Sequence, residues 1–116
     1  MNITEYKEDA LSLSSLIEGL ESSTNYKIIK VGAEWCPPCV RLKPYFKESK
    51  EKNPDIDFYD IDLGDKENPK NRILSSLLGV KGIPYVVLLS TGNNIIARAN
   101  DTFSFMEEFK EKIIRE

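Results

Sequence analysis

The apolar residues of this chain recur at two alternating periods, and the order in which the periods change restricts the fold more than any other feature. KIIKVGA (27–33) reads as a buried strand. Beyond it Leu42, Tyr45 and Phe46 carry a helix that stops near Asn53-Pro54. IDFYDID (56–62) is the next strand, and after the loop GDKENP the residues Ile73, Leu74, Leu77 and Leu78 make one apolar helical face ending at Gly79. Tyr85–Leu89 and Ile95–Ala97 flank STGNN, the signal of an antiparallel hairpin. Ser104-x-x-Glu107 is a capping-box pattern that opens a last helix, with Phe105, Met106, Phe109 and Ile113 on its buried side. Upstream, Leu13, Leu16, Ile17 and Leu20 recur at helical spacing, and NITEY before them reads as a short edge strand or a loose end. The order βαβαββα predicts an α/β fold with a central mixed β-sheet flanked by helices on both faces.

A chain of 116 residues is about one domain, so residues 1–116 are expected to form a single unit with a core of its own. A net charge of −3 gives no electrostatic reason to expect nucleic acid or an anionic membrane as partner. The run KESKEK (47–52) alternates in sign and reads as a solvated helix end. The longest apolar run, Tyr85–Leu89, falls far short of the roughly 20 residues needed to cross a bilayer. The first twenty residues carry charges throughout and lack the apolar core and cleavage site of a secretory signal, so a cytoplasmic, reducing compartment is expected.

Both cysteines of the chain, Cys36 and Cys39, lie in AEWCPPCVRLKP (33–44), at the junction of the first strand with its helix. With two thiols and no histidine, a closed four-ligand zinc site would require a second molecule or unusual carboxylate help, so no metal is expected. A protease-type nucleophile lacks its histidine base. Two inert buried cysteines remain as a bland alternative, but a tryptophan and a double proline around them at a strand-to-helix junction favour redox chemistry. A cysteine in the first helical turn meets unpaired backbone N–H groups and the positive end of the helix dipole, which stabilise a thiolate. Cys36 is therefore the expected nucleophile. Pro37 and Pro38 carry no N–H, so the amide of Cys39 is the nearest donor for Cys36 inside the motif. Cys39, one turn on, is expected to be the more buried thiol and to resolve a mixed disulfide formed at Cys36. Pro44 removes the amide that would bond the Val40 carbonyl and should kink the helix past the site.

With AEWCPPC followed by Pro44, LGVKGIP (78–84) before a strand, and a hairpin turn at Gly92, the chain resembles the thioredoxin family over about residues 26 to 114. The resemblance implies the thioredoxin fold and a redox-active disulfide with no bound cofactor. It also implies disulfide-containing protein substrates, a thioredoxin reductase or other electron donor, and a monomer. It further implies that Pro84 is cis and faces the disulfide, leaving the Ile83 backbone free to pair with a substrate strand. Trp35 and Ile83 would then form an apolar rim beside Cys36.

Four departures from the family pattern accompany the matches. Pro37-Pro38 stands where ordinary thioredoxins have Gly-Pro, a variant similar to tryparedoxins and nucleoredoxins. The stretch between Cys39 and Pro84 is a few residues longer, in or near GDKENPKNR. Asn100 replaces a glycine of the substrate groove. Lys30 occupies the strand position of a buried aspartate beneath the second cysteine. Two readings of Lys30 stay open: its stem lets the amine reach solvent or a carboxylate such as Asp60, or the amine lies beside the cysteines and couples to their ionisation. Protein-disulfide reduction through Cys36 and Cys39 is the leading expectation. A thiol oxidase or isomerase on the same fold, and a protein-interaction module, are the alternatives.

Overall fold

The computed structural model describes residues 17, 20, 23–64 and 70–115. The elements are β1 (Tyr26–Gly32), α1 (Pro37–Lys52), β2 (Ile56–Asp62), α2 (Lys70–Leu78), β3 (Tyr85–Leu89), β4 (Ile95–Arg98), a 3-10 turn (Thr102–Ser104) and α3 (Phe105–Arg115). That is the order expected from the periodicities. The proposed NITEY strand, Leu13, Leu16 and most of the GDKENP loop lie outside the described residues. Ile17 and Leu20 are described, and both are buried.

The four strands run in the order β2-β1-β3-β4. β1 pairs parallel with β2 and antiparallel with β3, and β3 pairs antiparallel with β4, so the sheet is mixed. Alternation along β1 divides the core. Ile29 and Val31 join Ile61, Val87, Leu89 and the α2 residues Leu74 and Leu78 on one face, with Ile17 and Leu20. Ile28 joins Val86, Leu88, Leu42 and Phe46 of α1, and Phe105, Met106 and Phe109 of α3 on the other. Each fully buried side chain of this kind stabilises the fold by about 1.5–3 kcal/mol. The helices therefore cover both faces of the sheet.

Two local expectations change, and the expected hairpin is present with one added detail. Ile73 and Leu77 are exposed, and the inward face of α2 is Asn71, Leu74 and Leu78. Asn71 belongs there because its Nδ2 donates to the Asp62 carbonyl at the end of β2, 2.7 Å away. Ser104 and Glu107 form no capping box. The Asp101 carboxylate caps the 3-10 turn by accepting from Phe103 N, while the Glu108 carboxylate accepts from the backbone amides of Asn100 and Asp101. In the hairpin the left-handed residue is Asn93 (φ 67°), with Ser90 Oγ accepting from the amides of Gly92 and Asn94. The α2 terminus follows its expectation: Gly79 is left-handed (φ 74°), and Val80 N donates to Ser75 O as in a Schellman cap.

Lys27 is fully buried on β1, and its Nζ donates to the carbonyls of Ser23 (2.9 Å) and Thr91 (3.2 Å). Burial pushes its pKa below the ordinary 10.5, against a smaller opposing pull from Asp57. Between that depressed value and 10.5 the unfolded chain holds the proton and the folded chain does not, so this residue's contribution makes stability rise with pH. Lys27→Met should lack that increment. Urea melts of parent and mutant across this alkaline window check it, and a stability difference independent of pH would contradict it.

Candidate active site

Gly32 ends β1, and five residues later the chain enters α1 at Pro37. Cys36 is the N-cap of α1, in an extended conformation (φ −103°, ψ 107°), with two prolines at the first helical positions where no amide is missed. The Cys39 amide donates to Cys36 Sγ at 3.4 Å, and Val40 N donates to the Cys36 carbonyl at 3.1 Å. The double proline thus leaves Cys39 N aimed at the sulfur. Cys36 and Cys39 are joined in a disulfide with their Cα atoms 5.2 Å apart. Both are buried, Cys36 at 6% exposure and Cys39 at 2%. Pro44 lies inside α1 without ending it.

The Ile83–Pro84 peptide is cis. Ile83 packs against Ala33, Cys36 and Cys39, and its carbonyl oxygen stands 3.9 Å from Cys36 Sγ. The sequence thus brings two distant segments, 33–39 and 83–84, to one spot. Trp35 is 70% exposed. It lines a hollow with Leu63, Arg72, Ser75, Ser76 and Val80, and its ring lies over Gly64, where a Cβ would come within 3.4 Å of the indole nitrogen. Asn100 is held by Glu108, whose Oε1 accepts from both its amide and its Nδ2 at 3.0 Å. It shares a groove with Glu108, Glu111, Lys112 and Arg115 of α3.

Lys30 is 3% exposed, and its Nζ lies 3.0 Å from Asp60 Oδ2 and 4.9 Å from the centre of the Phe46 ring. The pair follows from the sheet, because Lys30 and Asp60 are register partners on parallel strands. Its two open readings meet here. The amine finds the Asp60 carboxylate, and the pair also lines a polar cavity of about 180 Å3 together with Gly32, Cys39, Glu34, Lys43 and Asp62. Gly32 is the residue that sequence reasoning missed. A Cβ there would sit 3.2 Å from both Cβ and Sγ of Cys39, so a larger residue would press the sulfur a few tenths of an ångström off the strand. The available signal was its place two residues after Lys30, on the same face of β1. Among the described residues no cluster of three or more His, Cys, Asp or Glu is placed to hold a metal ion. No helix there is long and apolar enough to cross a membrane.

Both the sequence and this fold have counterparts among known proteins. The thioredoxin family model matches residues 10–113. Thioredoxin C-3 of Corynebacterium nephridii is 36% identical over 63 residues, which are 54% of this chain and 40% of that protein. The chloroplastic thioredoxin F of Oryza sativa subsp. japonica is 32% identical over 65 residues, 56% of this chain and 33% of that protein. The matched stretch therefore spans less than half the length of these relatives. A chain from the crystal structure of a ferredoxin:thioredoxin reductase and thioredoxin f2 complex shares the fold, with a TM-score of 0.68 over 80% of this chain and 81% of its own at 21% identity. On a family match that covers nearly all of its sequence, this chain belongs to the thioredoxin family.

Proposed function

We propose that this protein is a thiol-disulfide oxidoreductase that reduces protein disulfides by dithiol exchange. The observation that carries the reading is the Cys39 amide directed at Cys36 Sγ from the first turn of α1, in a cysteine pair already closed as a disulfide. In the reduced protein that amide and the helix N-terminus favour a Cys36 thiolate. The thiolate attacks one sulfur of a partner's disulfide, forms a mixed disulfide and releases the first partner thiolate. Cys39 then attacks Cys36 Sγ, closes the Cys36–Cys39 bond and releases the second. Two electrons pass to the partner, and an electron donor of the reductase type restores the dithiol. Pro37 and Pro38 shape the turn.

The backbone around Ile83 and Pro84 is the expected seat of a substrate strand, with Trp35 as an apolar contact beside it. Asn100, whose side chain is tied to Glu108, is assigned to the flank of that substrate groove. The reading extends to a monomeric single domain working in a reducing compartment such as the cytoplasm. The test is catalysis of insulin reduction by dithiothreitol, followed as B-chain precipitation. Acceleration over the uncatalysed rate supports disulfide reductase activity. No acceleration by well-folded protein would favour an interaction module instead.

A further inference from the structure

Dithiol exchange leaves one step without an assigned group. Cys39 is 2% exposed and must lose a proton before it attacks Cys36, so something next to it has to receive that proton. Resting on the exchange reading above, we infer that Asp60 is the proton acceptor for Cys39 and that Lys30 is the positioning residue that holds it.

Cys39 borders the polar cavity of about 180 Å3, a volume with room for several waters at about 30 Å3 each. The charged groups facing that space come from every surrounding element: Lys30 from β1, Glu34 from the turn before α1, Lys43 from α1, and Asp60 and Asp62 from β2. Three of them are carboxylates, and their circumstances differ. Glu34 is exposed on a turn. Asp62 Oδ1 already accepts from the Gly64 amide at 2.8 Å. Asp60 alone is fixed by a buried ammonium, which is itself fixed by the strand and the Phe46 ring.

At 52% exposure Asp60 reaches both the cavity and bulk solvent, the position needed to pass a proton outward. In the resolving step the Cys39 proton moves through cavity water to the Asp60 carboxylate and on to solvent. The Cys39 thiolate bonds to Cys36 Sγ, the bond from Cys36 to the partner sulfur breaks, and the partner leaves as a thiolate that takes its proton from water. Atoms, charge and the two electrons balance without another reagent.

The size of the effect is bounded by the thiol itself. An ordinary thiol is a few per cent ionised at pH 7, so losing the acceptor should slow the step about ten- to thirtyfold there and hardly at all near pH 10. Stopped-flow mixing of reduced protein with excess 5,5′-dithiobis(2-nitrobenzoate) separates the steps. One thionitrobenzoate is released when Cys36 attacks, and a second, in a unimolecular phase, when Cys39 closes. Asp60→Asn should slow the second phase by that factor at pH 7 and converge on the parent near pH 10. Lys30→Met should shift the same pH profile in the same direction, while Glu34→Gln should follow the parent. The inference is overturned by a parental profile in Asp60→Asn, by a slowing that persists at pH 10, or by equal slowing in Glu34→Gln. If the parent itself gives no unimolecular second phase, dithiol exchange fails, and the inference falls with it.

Discussion

Insulin reduction is expected to fall to the uncatalysed rate when Cys36 is replaced by serine, a loss on the order of a thousandfold or more. The serine keeps the size of the side chain and still accepts from Cys39 N, so the N-cap of α1 survives. The nucleophile does not. A hydroxyl lacks the accessible anionic form of a thiol near neutral pH, and Cys39, buried against Gly32 and Ile83, is poorly placed to meet a partner's disulfide. Circular dichroism should match the parent while B-chain precipitation follows dithiothreitol alone. Retention of a tenth or more of the parental rate would mean that Cys39 attacks substrates directly.

The second large effect is on stability. Lys30→Glu should destabilise the fold by about 3 kcal/mol, because it removes the ammonium from Asp60 and places a nearly inaccessible carboxylate opposite another one on the neighbouring strand. Asp60→Lys alone should also destabilise, by less, since its longer side chain is half exposed and can turn outward. The double mutant Lys30→Glu/Asp60→Lys restores an ion pair with the signs exchanged and should recover more than half of the summed loss. Urea denaturation of the four proteins measures this. Additive losses would show that the two residues do not interact, despite their 3.0 Å contact.

Most of the fold could be read from the sequence because strand and helix periods alternate cleanly between Tyr26 and Arg115. Cys36 could be located because a cysteine followed by two prolines after a buried strand has few other placements. What could not be read depends on packing in three dimensions. Ile73 and Leu77 match a helical stripe as well as Leu74 and Leu78 do, and only the position of β2 decides that Asn71 turns inward instead. The pattern Ser104-x-x-Glu107 satisfies the local rule for a cap, yet Glu108 finds two amides in the preceding turn. A local motif does not know where the chain before it has gone. Lys30 was legible as a problem, an amine on a buried strand, and Asp60 as one solution. The cavity that joins the pair to Cys39 was not, since it needs Gly32, α1 and β2 to be placed together.

The central claim is that Cys36 attacks and Cys39 resolves. The most direct measurement is the covalent trapping of partners from a lysate by Cys39→Ser and Cys36→Ser, compared side by side on non-reducing gels. Cys39→Ser can form the mixed disulfide but cannot release it, so it should accumulate adducts that disappear with dithiothreitol, while Cys36→Ser should trap far fewer. Stronger trapping by Cys36→Ser would contradict the account and exchange the roles of the two cysteines.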